Sequence, residues 1–271
     1  MVSETTIPGH GGAVHCRTWT PSERPWGGVV IVHGYAEHGG RYAHVAERLV
    51  AEGLVVVAPD HVGHGRSEGE RALITDFDLV VDDLALVIAA VEAAHPDIPL
   101  AMVGHSMGGL LTGRFIQRWP DRLAAAAFLG AVLGDWKWAR EVLAQPEMPA
   151  ADSNPEGMSR DLEACRAYAD DPLVYHGTYK RGLLEAEVAA LDAFSAQLDR
   201  IAIPLALFHG SADPFVPVAD SLAAVLGTDS LDLRIKIYHG ARHELVNETN
   251  RDEVLDDIRL WLKMVMRSPA G

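Results

Sequence analysis

The residues whose types and spacing best suggest chemistry are a serine between two glycines, in the sequence GHSMG at residues 104–108. The apolar run 99–103 before them predicts a buried strand, and apolar side chains at helical spacing after them predict a helix. Ser106 is therefore expected in a strand-to-helix turn, where the G-x-S-x-G pattern presents a nucleophilic serine. The two glycines keep this tight turn free of a clashing Cβ atom. The positive N-terminal end of the helix favours an oxyanion that develops beside Ser106.

A serine hydroxyl is a poor nucleophile, so it needs a base to take its proton and a carboxylate to orient that base. In chains with this kind of turn, the acid and then the histidine follow in loops after later strands. Asp213 follows a predicted strand at 204–209, and His243 follows the next one, at 231–239. We therefore predict Asp213 as the acid and His243 as the base.

Asp135 and His239 are the alternatives for these two roles. Asp135 follows the apolar run 124–133, but Asp213 is favoured because its loop directly precedes the strand that leads to the histidine. His239 would be the last residue of a strand, where the pleat fixes the direction of the side chain. His243 lies in a loop that can turn back toward Ser106.

Acyl transfer also needs backbone N–H groups aimed at the carbonyl oxygen as it becomes negative. One should be the N–H of Met107, the residue after the nucleophile. The other should come from the loop after the predicted strand 28–33, where the sequence reads HGYAEH from residue 33. We predict that this second donor is the N–H of Tyr35.

These residues need a scaffold, and strand-like runs alternate with amphipathic helical runs along most of the chain. This alternation predicts an α/β fold with a mostly parallel sheet covered by helices on both faces. Strands are predicted at 13–19, 28–33, 54–58, 99–104, 123–130, 204–209 and 231–239, and helices at 41–52, 77–94, 107–118, 217–226 and 251–266.

Between residue 134 and about residue 199 the alternation fails and only short helical pieces are expected. An insertion of this size between core strands is usually functional. We interpret 134–199 as a helical cap over the end of the sheet that carries Ser106, on a core made of 1–133 and 200–271. A solvated surface excursion is less favoured, because the tryptophan, tyrosine, leucine and methionine content of the segment needs apolar surface to cover.

The 23 basic and 38 acidic residues give a formal net charge of −15. This charge argues against nucleic acid or anionic lipid as a partner, because both would be repelled. A neutral substrate fits better. The apolar cap is expected to make at most weak peripheral contact with a membrane or micelle.

No stretch reads as a membrane span or a secretory leader, and Cys16 and Cys165 are the only cysteines. Both observations favour a cytoplasmic protein with reduced thiols. His33, His38, His61 and His64 lie close in sequence, but their loops lack a metal-binding spacing. No metal or cofactor is therefore expected.

Further stretches carry a resemblance to a known family: HGYAEHGGRY at 33–42, DHVGHGRSEGER at 60–71 and YADDPL at 168–173. With GHSMG and with GSAD at 210–213, they resemble the monoacylglycerol lipases and their lysophospholipase-like relatives among the α/β-hydrolases. The resemblance extends over about residues 14–261.

The resemblance implies the α/β-hydrolase fold with a cap, and Ser106, Asp213 and His243 as a catalytic triad. It also implies polar contacts to the glycerol end of the substrate from Glu37, Arg41 and Tyr168. For Glu37 and Arg41, an i,i+4 ion pair at the start of a helix is an equally good interpretation.

The chemistry predicted on this basis is hydrolysis of a monoacylglycerol to glycerol and free fatty acid through an acyl-enzyme, without a cofactor. A general short-chain carboxylesterase and a lysophospholipase are alternatives within the same chemistry. A protein that keeps the pocket for binding without hydrolysis is the alternative from another class.

Overall fold

In the computed structural model, which describes residues 1–151 and 154–267, the described part of the chain forms one sheet of eight strands. The strands are β1 (Val2–Gly9), β2 (Gly12–Trp19), β3 (Gly27–Val32), β4 (Leu54–Pro59), β5 (Leu100–His105), β6 (Ala125–Leu129), β7 (Leu205–Gly210) and β8 (Leu233–Tyr238). Their order across the sheet is β1-β2-β4-β3-β5-β6-β7-β8. Strands β3 to β8 are parallel to one another, whereas β1 pairs antiparallel with β2, and β2 with β4.

Helices connect most of these strands. They are α1 (Ala43–Ala51), α2 (Phe77–Ala94), α3 (Met107–Arg118), α4 (Lys137–Leu143), α5 (Leu162–Asp170), α6 (Arg181–Ser195), α7 (Val218–Leu226) and α8 (Arg251–Arg267). No helix of the described ranges is long and apolar enough to cross a membrane.

The apolar core lies on both faces of the sheet, as the alternation of strands and helices predicted. Along β5, the side chains of Leu100 and Met102 pack in one apolar cluster with α2 and α3. Those of Ala101 and Val103 pack in a second cluster with α1 and α8 on the opposite face. This alternation follows from the two-residue period of a strand. It holds β5, and the turn after it, in the middle of the molecule.

Strand β1 is the one strand of the described residues that sequence reasoning missed. Its side chains are exposed or half-buried along its whole length, because it lies at the edge of the sheet and pairs only with β2. Such a strand has no buried face to produce an apolar alternation in the sequence.

The segment between β6 and β7 contains α4, α5 and α6, and the last of these is longer than the short pieces expected, with 15 residues. Helix α6 buries Leu183, Leu191 and Phe194 in the same apolar cluster as α3. The division into a core of 1–133 and 200–271 and a cap of 134–199 stays a prediction. Residues 152–153 of that cap and 268–271 of that core lie outside the described residues.

The same segment contacts the loop that follows β3. The N–H of Tyr175 donates to the carbonyl oxygen of Ala36 at 2.8 Å, and Nε2 of His38 lies 2.9 Å from a carboxylate oxygen of Asp171. The inserted helices are therefore joined to the part of the core where an N–H group for an oxyanion was expected.

Candidate active site

Ser106 lies in the turn between β5 and α3, with φ 52° and ψ −123°. Residues other than glycine rarely adopt a positive φ, so the surrounding structure must hold the turn in place. Gly108 explains part of this restraint, because a Cβ there would overlap the carbonyl oxygens of Val32 and His33 at the end of β3. The close approach of the two backbones requires glycine at this position.

Three predicted side chains meet in one hydrogen-bonded row. Nε2 of His243 lies 2.9 Å from Oγ of Ser106, and Nδ1 of His243 lies 2.8 Å from Oδ2 of Asp213. The other carboxylate oxygen of Asp213 accepts from the backbone N–H groups of Phe215 and Val216, at 2.9 and 3.0 Å. The row has the geometry needed to pass a proton from the serine to the histidine.

The electrostatics of the row support this transfer. Burial by itself lowers the pKa of His243, but the adjacent Asp213 carboxylate raises it above its usual value. For Asp213, burial by itself raises the pKa, and the charge and hydrogen bond of His243 lower it below the usual value. The carboxylate therefore stays ionised beside a histidine of increased basicity.

The two alternative residues lie elsewhere. Asp135 is half exposed and pairs with Arg140 at 3.1 Å. His239 lies just after the end of β8 and is exposed. Neither is hydrogen-bonded to the row of Ser106, His243 and Asp213.

The two N–H groups predicted for an oxyanion belong to residues that line the cavity at Ser106, namely Tyr35 and Met107. No hydrogen bond within 1–151 and 154–267 uses either N–H group. The loop of Tyr35 is held nearby, because the N–H of Gly34 donates to the buried carboxylate of Glu37 at 2.7 Å. Their role in holding an oxyanion stays a prediction.

Glu37, Arg41 and Tyr168 come together on one side of this cavity. Arg41 pairs with Glu37 at 2.6 Å, as the i,i+4 interpretation predicts, and its guanidinium lies over the ring of Tyr168, 4.7 Å from the centroid. Glu37 and Tyr168 line the cavity, whereas Arg41 lies behind them.

Glu244 is a member of this group that sequence reasoning missed. Both of its carboxylate oxygens accept from Arg41, at 2.6 and 2.8 Å. Burial by itself raises the pKa of Glu244, but the Arg41 guanidinium outweighs it and lowers the pKa to about 2. Arg41 is thus held between two buried carboxylates, which no local spacing in the sequence could indicate.

Three histidines near the loop that follows β3 are buried and packed against one another. The rings of His33 and His61 lie with centroids 4.0 Å apart, and Nε2 of His33 accepts from the N–H of His61 at 2.9 Å. Burial lowers the pKa of His61 to about 3 and that of His64 to about 4, so both are neutral. Among the described residues, no three His, Cys, Asp or Glu side chains are grouped to hold a metal ion.

Comparison with known proteins identifies the fold and the class of enzyme. The family model described as serine aminopeptidase, S33, matches residues 23–250. Among solved structures, the monoacylglycerol lipase of Paleococcus ferrophilus superposes with a TM-score of 0.80 at 25% identity, over 92% of this chain and 98% of that one. A thermostable carboxyl esterase from Bacillus coagulans, solved with glycerol, shares the fold with a TM-score of 0.86 at 23% identity, over 98% and 99% of the two chains. The fold is that of the α/β-hydrolases, and the chain is a carboxylic ester hydrolase.

Relatives identified by sequence show to which family of ester hydrolases the chain belongs. The monoacylglycerol lipase of Mycolicibacterium smegmatis is 36% identical over 270 residues, which cover 96% of each chain. The monoglyceride lipase of Homo sapiens is 31% identical over 267 residues, 93% of this chain and 87% of the human one. The chain belongs to the monoacylglycerol lipase family.

Proposed function

We propose that this enzyme hydrolyses monoacylglycerols to glycerol and free fatty acid, with Ser106 as the nucleophile, His243 as the base and Asp213 as the orienting acid. The observation that carries the proposal is the position of His243, whose two ring nitrogens lie within hydrogen-bond distance of Ser106 and Asp213. A histidine placed in this way can take the serine proton on one side while the carboxylate stabilises the resulting imidazolium on the other.

In the first half of the proposed reaction, the Oγ of Ser106 forms a bond to the ester carbonyl carbon while its proton passes to Nε2 of His243. The N–H groups of Tyr35 and Met107 donate to the carbonyl oxygen as it becomes negative. The bond from the carbonyl carbon to the glycerol oxygen then breaks, and His243 returns the proton to that oxygen.

The second half repeats these steps with water. His243 takes a proton from the water as the water oxygen bonds to the acyl carbon. The bond to Ser106 then breaks, and the proton returns to its Oγ. The products are a free fatty acid and the original enzyme.

The cavity has an apolar and a polar side, and this division supports a monoester with a polar head as the substrate. Its apolar lining includes Met107, Val132, Trp136, Phe215 and Val216. On the polar side, Glu37, Tyr168 and Glu244 line the same cavity. We assign the acyl chain to the apolar lining and the glycerol hydroxyls to the polar group, with Arg41 positioning the two carboxylates rather than touching substrate.

The test is hydrolysis of a series of monoacylglycerols from short to long acyl chains, beside di- and triacylglycerols. We expect a graded preference along the monoester series, because an apolar pocket distinguishes chains by only ~1–3 kcal/mol per methylene. Ser106→Ala should lower kcat by about 10⁶-fold without unfolding the protein, and a fluorophosphonate should label Ser106 alone. Ser3→Ala, at an exposed serine of β1, is the matched control and should change neither result.

Other outcomes would favour other functions. Rates confined to short acyl esters would favour a general carboxylesterase, and faster turnover of lysophospholipids would favour a lysophospholipase. Tight binding of monoacylglycerol with no turnover, and no labelling of Ser106, would favour a binding protein and overturn the proposal.

We also propose a weak contact between the inserted segment and a micelle or bilayer surface. Trp138 and Leu162, both on this segment, are exposed apolar side chains, the leucine by 54%. The net charge of −15 gives no attraction to an anionic surface, so apolar burial must supply the affinity.

A further inference from the structure

Glu187 is a buried carboxyl group that the proposed reaction does not use. It lies on α6, is 1% exposed and lines the same cavity as Ser106. No hydrogen bond within the described ranges involves its side chain, and its Oε1 is buried without a partner. Buried polar atoms are rarely left in this state, so an unpartnered one facing a substrate cavity needs an explanation.

The protonation state of Glu187 determines what it could bind. Burial raises its pKa to about 8, and no ion pair of the described residues includes it. The side chain is therefore a neutral carboxylic acid at neutral pH, with one O–H donor and acceptor oxygens.

A second unpartnered group belongs to a residue that lines the same cavity. The hydroxyl oxygen of Tyr35 is also buried without a hydrogen-bond partner, and its ring is stacked on that of Tyr179 with centroids 4.6 Å apart. Burial is the main cause that raises the pKa of Tyr35, and the neighbouring carboxyl of Glu187 adds to it. The two groups are thus close enough to interact electrostatically, and both residues line the cavity.

This pair differs from the polar group around Arg41 in its hydrogen bonding. Glu37 and Glu244 are both satisfied by hydrogen bonds to Arg41, whereas Glu187 and the Tyr35 hydroxyl are unsatisfied. A leucine at 187 would fill an apolar acyl pocket without leaving a buried polar group. The carboxyl therefore needs a partner that the folded chain itself does not supply.

We propose that Glu187 and the hydroxyl of Tyr35 form a polar subsite that binds a hydroxyl group carried on the acyl chain of the substrate. A hydroxyl can donate to one of these groups and accept from the other, which satisfies both. The inference rests on the proposed function, since it assigns the acyl chain to this cavity. It makes esters of hydroxylated fatty acids the preferred substrate class.

The experiment compares lauroylglycerol with lauroylglycerols whose hydroxyl group is moved carbon by carbon along the chain. For the wild-type enzyme we expect kcat/KM to rise about tenfold at the one position where the hydroxyl reaches the subsite. Glu187→Leu should remove this preference and accelerate hydrolysis of the unsubstituted ester. Glu187→Gln keeps a donor and an acceptor and should retain most of the preference. Glu185→Leu, at an exposed position of the same helix, is the matched control and should behave as wild type.

Binding to Ser106→Ala, measured by calorimetry with the same esters, separates this inference from the proposed function. If Ser106 is not the nucleophile, the esters still report on the subsite through their affinities. Equal affinity for plain and hydroxylated chains, or a preference that survives Glu187→Leu, would overturn the inference while leaving ester hydrolysis untouched.

Discussion

His243 is the residue on which the proposed chemistry depends most directly, and its orientation depends on Asp213. The carboxylate accepts from Nδ1 of His243 at 2.8 Å, so it selects the tautomer whose Nε2 can take a proton from Ser106. Two backbone N–H groups, those of Phe215 and Val216, hold the carboxylate in turn. The Nδ1 side of His243 is thus held by a carboxylate that is itself held by the backbone, and Nε2 is left toward Ser106.

Asp213→Asn should lower kcat by about 10⁴-fold, because an amide that donates to Nδ1 favours the wrong tautomer. The measurement is steady-state hydrolysis of a soluble monoester, with circular dichroism to check the fold. Asp135→Asn, which changes the same atoms at an exposed ion pair, is the control and should retain nearly full activity. The reverse pattern would move the acid to the loop after β6.

The pH profile gives a second readout of the same pair. Since Asp213 raises the pKa of His243 above its usual value, and only the neutral imidazole acts as a base, kcat/KM should rise with pH through that raised pKa. In Asp213→Asn the residual activity should rise at lower pH, because the carboxylate that stabilises the imidazolium is gone. An unmoved profile would contradict the assignment.

Glu187 provides a prediction about stability. Burial raises its pKa to about 8 in the folded protein. At a pH between the ordinary glutamate pKa and this value, the folded protein holds the proton, whereas the unfolded chain has released it. Stability should therefore fall as pH rises from about 4.5 to about 8, by at most about 5 kcal/mol, and then level off.

Glu187→Gln cannot ionise, so the difference in free energy of unfolding between this variant and the wild type should grow across that pH range. Urea unfolding at several pH values measures it. Glu185→Gln, on the exposed side of α6, should show no such growth. A constant difference for Glu187→Gln would contradict this prediction. It would mean that the Glu187 carboxyl ionises as readily in the native protein as in the unfolded chain.

At the scale of elements, the turn after β6 packs against the loops that carry Asp213 and His243. Gly130 has φ +51°, and a Cβ there would lie 2.9 Å from the carbonyl oxygen of His243 and 3.4 Å from Oδ2 of Asp213. A side chain at position 130 would therefore press on the backbone of His243 and on the carboxylate of Asp213. The end of one strand thus limits how the loops after β7 and β8 can be placed.

Gly130→Ala should reduce kcat by at least tenfold and lower stability by about 1–2 kcal/mol, because alanine is strained at this φ. Gly182→Ala is the matched control. At Gly182, in α6, a Cβ would meet only ordinary van der Waals contacts, so activity should be unchanged. Thermal unfolding and kcat measured on both variants test the claim, and full activity in Gly130→Ala would show that the turn has room to move.

At the scale of the whole molecule, the inserted segment and the charge determine how the enzyme would meet a lipid surface. The segment presents the exposed Leu162 and joins the core through contacts such as that of Tyr175 with the loop after β3. The net charge of −15 is unfavourable for anionic surfaces.

Partitioning into neutral phosphatidylcholine vesicles should therefore be weak and little affected by salt. Leu162→Ser should reduce it, whereas Leu260→Ser, at a leucine of α8 that is equally exposed by 54%, should not. Sedimentation of the protein with vesicles measures the bound fraction. Strong binding to anionic vesicles that disappears with salt would contradict the proposed mode of contact.

Much of this architecture could be predicted from local patterns. Buried strands such as β3 and β5 are continuous apolar runs because both of their faces are covered, and the helices α2 and α8 repeat apolar residues at helical spacing. The GHSMG turn was recognisable because a strand, a tight glycine turn and a helix follow one another within a few residues. For these features, the residues that interact are also neighbours in sequence.

The sequence by itself thus determined the parallel core, the turn at Ser106 and the choice of Asp213 and His243 as partners to test. Only the tertiary structure decided what surrounds them. Arg41 meets Glu244 across 203 positions of the chain, and Glu187 reaches the cavity of Ser106 from a helix of the inserted segment. Such contacts depend on how distant elements pack. Neither Glu244 nor Glu187 has a local sequence pattern that distinguishes it from a surface glutamate. The burial that changes the chemistry of Glu187 exists only after the chain has folded.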